Sequence, residues 1–287
     1  MESSSTTRSR DAVRWHSIDD QAWMPYPTDA WGTFDGAQSR LLSESDDRLS
    51  RTWALSVPAG WTGAVAGPGV AEIFVTGGSL STDSAQVSVG GFVGIPHEAG
   101  SLSLTSVEGA SFLLFVNEQF ATEDCYPGGR VFIAASRELP WEIVGNRGVA
   151  VKRLRQGSTE NAGTSPVGFL NLLLFLPGFV SDEVEFHNTW EEMIYLDGDF
   201  FMVERGNAGT SSYHANPAGT LHGPFGTQWG SLMIHHALEP YRTDFGHRPG
   251  GLERVTEYLD VTPFEADRPR TEPWGAYSTA PGHEQQV

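Results

Sequence analysis

The sequence predicts an all-β protein made of two similar halves, and three observations carry that expectation. The chain of 287 residues holds 33 glycines and 17 prolines, a profile of many short strands joined by turns rather than of long helices. Between these punctuation points lie short apolar or alternating runs, and no helix-period stretch of comparable strength. Finally, AEIFVTGGSL at Ala71 to Leu80 can be laid over EEMIYLDGDF at Glu191 to Phe200, the signature of an internal repeat.

Taken in order, residues 1–12 (MESSSTTRSRDA) offer nothing to bury and read as a loose tail without the apolar core of a signal peptide. Strand candidates follow at Thr52 to Val57, Ala71 to Val75, Gln86 to Val93, Ser111 to Val116 and Val131 to Ala134. They resume at Leu170 to Phe175, Met193 to Leu196, Phe200 to Val203 and Ser231 to His235. Val255 to Leu259 is too short to assign. Three further matches accompany the first: PAGW at Pro58 with PGF at Pro177, GFVGIP at Gly91 with SYHANP at Ser212, and SFLLF at Ser111 with SLMIH at Ser231. Four matches in one order indicate duplication. The boundary falls in LPWEIVGNRG, Leu139 to Gly148, where Pro, Asn and Gly cluster. The expected organisation is a first half over 13–145, a second over 146–264, and a tail over 265–287 whose Trp274 and Tyr277 could latch onto the body or a neighbouring subunit.

The formal net charge is −18 and Lys152 is the only lysine, so nucleic acid or an anionic membrane would be repelled by most of the surface. Cys125 is the only cysteine, which excludes an internal disulfide and a thiolate zinc cluster and leaves His and carboxylate as available metal ligands. With no apolar run long enough to span a bilayer, a cytoplasmic protein is expected. Serine-hydrolase elbows, phosphate-cradling loops and dinucleotide fingerprints do not occur.

The chemistry gathers between Glu185 and His222. Glu185 and His187, two apart on a strand, project to one face. Glu191 follows after three residues and Gly198 after six more, and Pro217, Gly219 and His222 form P-x-G-x-x-H. This pattern resembles the cupin family, whose motifs H-x-H-x3-E-x6-G and P-x-G-x-x-H face each other inside a small β-barrel and hold one divalent metal. In this chain Glu185 stands where the first His of that motif would be. HNTWEEMIYLDGDF followed by Y-x3-P-x-G-x-x-HGPF looks most like the ChrR-type cupins. Combined with the repeat, the resemblance implies two tandem cupin barrels of the double-stranded β-helix or jelly-roll type. The first would be degenerate, because Val65, Gly67 and Ala71 stand where the second has Glu185, His187 and Glu191.

The resemblance implies a ligand set of His187, Glu191 and His222, with Glu185 either a fourth ligand or a solvated rim carboxylate. Between the two adjacent carboxylates the family spacing selects Glu191, while the repeat places Glu72 under Glu192 and suggests a structural or pocket role for it. Of His235 and His236 one must face inward by strand alternation. His236 and Glu192 are candidate proton carriers, and Tyr195 joins them as a catalytic candidate. Tyr213, His214, Met193 and Trp229 are candidate pocket walls, whereas His16, His97, His247 and His283 lack a partner pattern. His and carboxylate together suit Fe(II) first, with Zn(II) or Mn(II) as alternatives. The expected function is a metal-dependent enzyme on a small organic substrate, a dioxygenase-type oxidation of a keto or enol compound by analogy within the family. The alternatives are a redox-neutral isomerase or lyase and a non-enzymatic metal sensor. A homodimer is expected, since sheet edges need cover.

Overall fold

The computed structural model describes residues 13–27, 31–118, 125–144, 148–155, 168–238, 241–246 and 248–261. The expectations for both tails, Trp274, Tyr277, His247 and His283 fall outside these residues, as does the His16 side chain. All nine strand candidates fall on strands to within one residue at their ends, one of them, Gln86 to Val93, interrupted by a turn at Val89 and Gly90. Among the described residues no helix is long and apolar enough to cross a membrane.

Two groups of antiparallel strands make up the fold. In the first half, the order runs Met24–Pro25, Gln38–Glu44, Ser50–Val57, Ala110–Asn117, Val70–Ser81, Leu102–Ser106, Trp61–Val65 and Gly32–Thr33, with Gln86–Ser88, Gly91–Ile95 and Phe132–Ala135 branching from Val70–Ser81. This sheet curls around an apolar core that includes Trp31, Trp53, Trp61, Ile73, Phe112 and Leu114. Val65 and Ala71, which take the places of Glu185 and Glu191 in the repeat, are buried in that core.

In the second half a sheet runs in the order Val13–Ser17, Ser212–Asn216, Glu191–Gly198, Ser231–Ala237, Phe169–Phe175, Val149–Arg153 and Glu142–Ile143. Opposite it lie a small sheet of Val180–Ser181, Phe225–Gly226, Phe200–Met202 and Gly206–Ala208 and a ribbon of Val184–His187 with Thr243–Gly246. The sequence boundaries differ here in two places. Val13–Ser17 and Glu142–Ile143, both assigned by sequence to the first half, form the two edges of the second sheet. Covering an otherwise unpaired edge is the physical reason for both exchanges.

Strand alternation divides each central strand between two environments. In Glu191–Gly198, Met193 and Tyr195 pack in the inner core with Phe175, Phe200 and Met233. Ile194 and Leu196 turn to the other face, where they meet Phe74, Phe92, Leu113 and Phe115 of the first half. This shared apolar layer holds the halves together, each fully buried large side chain stabilising by about 1.5–3 kcal/mol.

The stretch at Val255 forms the helix Gly251–Val261. Val255 is buried, and Tyr258 stacks on Phe201 with ring centroids 4.4 Å apart and donates a hydrogen bond to Asp199 Oδ2 at 2.8 Å. Among the described residues of this helix Val255 is the one large apolar side chain that is buried, so the sequence carries too weak a period to reveal the helix.

Candidate metal centre

Two turn glycines set the frame on which the site is built. Gly198 has φ +86°, and a Cβ there would fall 1.9 Å from Gly230 O, so the turn closing the strand from Glu191 requires glycine. Gly219 has φ +78° and donates its backbone N–H to His187 O at 2.7 Å, tying the P-x-G-x-x-H turn to the first motif. Glu185 and His222 then face each other across a reciprocal backbone bridge, both N–H···O distances 2.9 Å.

This bridge gathers Glu185, His187 and His222, whose ligating atoms lie within 4.8 Å of one another. Glu191, fully buried, enters the same space from the neighbouring sheet. His187 Nε2 and His222 Nε2 are 3.2 Å apart, and Glu191 Oε1 lies 3.5 Å from the former and 3.3 Å from the latter. Donor atoms about 2.1 Å from a shared cation sit about 3.0–3.4 Å from one another in octahedral or tetrahedral geometry, so the spacing fits a single ion. His222 Nδ1 lies 3.0 Å from Thr220 O, an arrangement that puts the ring proton on Nδ1 and leaves Nε2 as a lone pair directed inward. Burial pushes His187 down to about 4, so its imidazole is neutral at neutral pH, as a ligand requires. Burial alone would raise the Glu191 carboxyl, but His187 and His222 beside it hold it well below the usual range. The donor set therefore fits a divalent cation.

Further side chains orient the carboxylate. Asn216 Nδ2 donates to Glu191 Oε1 at 2.8 Å, and His235 Nε2 and the Tyr241 hydroxyl lie 3.0 and 3.1 Å from Oε2. The Tyr241 hydroxyl is also 2.6 Å from His187 Nε2. Phe169 meets His235 and Tyr241 edge-on, with centroids 4.5 and 4.9 Å away, fixing both rings. Burial and then the Glu191 charge hold the Tyr241 hydroxyl well above its ordinary value, so it is a donor at neutral pH.

His236 and Glu192 lie elsewhere. They project from the opposite face of the same strands into a buried network joining the halves, because consecutive strand residues point to opposite sides. Glu192 accepts from Thr52 Oγ1 (2.5 Å), Ser43 Oγ (2.9 Å) and the Tyr213 hydroxyl (2.7 Å), and His236 Nδ1 is 2.7 Å from Glu192 Oε1. His236 Nε2 meets Arg155 at 3.0 Å, and Arg155 makes two 2.7 Å bonds to Glu72, which also accepts from Tyr126. The two repeat-related glutamates, Glu72 and Glu192, thus share one network. Tyr195 does not join the metal group either. Its hydroxyl is engaged by Met193 Sδ at 3.8 Å and His214 Nδ1 at 3.4 Å in the inner core. The sequence reading missed Tyr241 and Asn216 and took His236 as the proton carrier, whereas His235 is the one of the pair beside Glu191. Asn216 stands immediately before Pro217 of the second motif, a signal that was available, whereas Tyr241 has none.

A cavity of about 450 Å³ opens onto the group. Its walls include Glu185, His187, His222, His235 and Tyr241 beside an apolar surface containing Phe175, Phe179, Phe200, Phe225, Leu173 and Met193. Tyr195, Tyr213, His214 and Trp229 are not among them. In the first half, among the described residues, no three His, Cys or carboxylate side chains converge in this way. His97 is exposed there, its Nδ1 2.6 Å from Gly67 O.

No family model matches the chain, and no curated protein matches its sequence. Solved structures do match it. A putative dioxygenase from Nostoc punctiforme has a TM-score of 0.65 at 18% identity, the match covering 81% of this chain and 84% of that one. A putative glyoxylate-induced protein from Pseudomonas aeruginosa gives 0.56 at 12% identity over 82% and 98% of the two chains. Oxalate decarboxylase from Bacillus subtilis gives 0.51 at 12% identity over 91% and 88%. At such identities the likeness bears on architecture alone, and it joins the strand topology and the motif turns in showing that this chain has the cupin fold.

Proposed function

We propose that the chain is a metal-dependent cupin enzyme acting on a small organic molecule, by a dioxygenase-type oxidation of a keto or enol compound. The observation that carries this reading is the convergence of His187 Nε2, His222 Nε2 and Glu191 Oε1 at 3.2–3.5 Å on one side of an apolar cavity. His187, Glu191 and His222 would hold one ion per chain in the second half, with Glu185 as a fourth ligand or a solvated rim carboxylate. Fe(II) is the favoured ion, Zn(II) and Mn(II) the alternatives. When bound, such an ion supplies Lewis acidity and, if it is iron, redox chemistry, and three or four protein ligands leave open positions.

The chain's own groups do the rest. Asn216, His235 and Tyr241 keep the Glu191 carboxylate in one orientation, so its free lone pairs are aimed rather than averaged. Phe175, Phe200 and Phe225 exclude water from the reacting end of a substrate. Tyr241 and His235, whose side chains line the cavity, are placed to donate or accept a proton at a substrate oxygen. The apolar walls favour a substrate with a hydrocarbon body over a small dianion such as the acid acted on by oxalate decarboxylase. His236 and Glu192 would act only through the position of the strands that carry His235 and Glu191.

Support for oxidation comes from the ligand set and from the resemblance to a putative dioxygenase. The test is anaerobic reconstitution with Fe(II), admission of air, and measurement of oxygen uptake with diketones and hydroxyaryl ketones. Oxygen consumed in proportion to substrate, with zinc-loaded protein inactive, is the expected result. Full turnover by zinc or manganese protein without oxygen would replace oxidation by isomerase or lyase chemistry using His235 or Tyr241. Tight metal binding without turnover of any carbonyl substrate would favour a sensor.

A further inference from the structure

Among the described residues that line the cavity, Asn171 carries an enclosed amide oxygen with no hydrogen-bond partner. Asn171 sits in the strand Phe169–Phe175, whose odd-numbered residues Phe169, Leu173 and Phe175 line the cavity while Leu170 and Leu172 face the layer between the halves. Asn171 lines the cavity with them, is 6% exposed, and its Oδ1 is enclosed without a hydrogen-bond partner. An amide left this way costs roughly 1–3 kcal/mol. A packed apolar wall would be served better by leucine, so the cost calls for a compensating role.

The sheet register says what that role is. Asn171 is directly paired with His235 on one side and with Arg153 on the other. His235 is the residue bonded to Glu191 Oε2, and Arg153 is engaged by Glu142 at 2.9–3.1 Å. Asn171 is therefore one strand spacing, about 4.8 Å, from the row position next to the metal group. It is an uncharged polar point on a wall otherwise formed by Phe169, Leu173 and Phe175.

We propose that Asn171 reads the substrate: its amide hydrogen-bonds a hydroxyl carried on a flat, apolar, ring-sized body lodged among Phe175, Phe200 and Phe225. A hydroxyl is the group that fits because it both donates and accepts, and so satisfies the amide in either of its two flipped orientations. The inference rests on the proposed function only in taking the same cavity as the substrate's seat.

The test uses the full-length, metal-free chain and two probes, 4-propylphenol and propylbenzene, titrated by calorimetry. Wild-type protein should bind 4-propylphenol about tenfold more tightly than propylbenzene, the upper value of one neutral hydrogen bond. Asn171→Leu should bring the two within about twofold while retaining propylbenzene, and should leave the Tm unchanged or higher because an unsatisfied polar group has been removed. Asn171→Ala should abolish the preference in the same way without adding bulk. A preference that survives both substitutions, a wild-type chain with no preference or no binding of either probe, or a fall in Tm in the Leu variant would overturn the inference. Oxygen uptake with carbonyl substrates is read separately, so the failure of one assignment is distinguishable from the failure of the other.

Discussion

His236 Nδ1 lies 2.7 Å from Glu192 Oε1, while the preceding pair, His235 Nε2 and Glu191 Oε2, meets at 3.0 Å on the other face of the same two strands. One residue of offset therefore separates a link between the halves from the candidate metal centre. Glu191→Gln should lower metal occupancy sharply. Glu192→Gln should leave the ion bound and cost about 3 kcal/mol of stability through broken bonds to Ser43, Thr52, Tyr213 and His236. Metal analysis and urea denaturation separate the two, and equal metal loss from both would remove the distinction. Glu185→Gln in the same assay shows whether that carboxylate is a ligand.

The Arg155–Glu72 pair, with both side chains 2% exposed or less, should behave as a buried ion pair does. Arg155→Met alone strands the Glu72 carboxylate and should cost about 3–5 kcal/mol, whereas Arg155→Met with Glu72→Met should recover most of that loss. A double variant as unstable as the single one would show that the network stabilises by more than charge pairing.

Much of this arrangement could be read from the chain, and the limits have physical causes. Gly and Pro punctuation located the strands because turns with positive φ demand glycine, as at Gly198 and Gly219. The repeat paired Glu72 with Glu192, and both occupy the layer between the halves. Alternation required one of His235 and His236 to face inward but could not say which, since that depends on register against Glu191–Gly198. Tyr241 reaches the site through contacts with residues distant in sequence, and no local pattern marks it or Asn171. The helix at Val255 escaped because it buries so little.

The metal-free chain should lose stability in mild acid. Burial lowers His187 from its ordinary 6.5 to about 4 and also pushes His214 and His236 down. Folded, these rings are neutral, while the unfolded chain takes up protons below about pH 6.5. The unfolded state then binds more protons, so the stabilisation is complete above that pH and is lost as pH falls toward 4. His187 alone corresponds to about 3 kcal/mol. Glu72, held low by Arg155 against the opposing effect of burial, adds a loss in the same direction at lower pH. Thermal melts from pH 8 to 4 should show a falling Tm below 6.5, and a flat profile would contradict the neutral assignments.

A homodimer remains our expectation. Ile143 on the edge strand Glu142–Ile143 and Phe245 in the two-stranded ribbon are 77% and 60% exposed, surfaces that a second copy could cover. Light scattering should report twice the chain mass at micromolar concentration. A single-chain mass across the whole concentration range would refute it.

The most direct test is the metal content of protein purified without added ions and then loaded with one equivalent or an excess of Fe(II) under anaerobic conditions. The account predicts one tightly held ion per chain, lost in His187→Ala and in His222→Ala and kept in His97→Ala. Two tightly held ions per chain, or an ion that survives the loss of both His187 and His222, would contradict it.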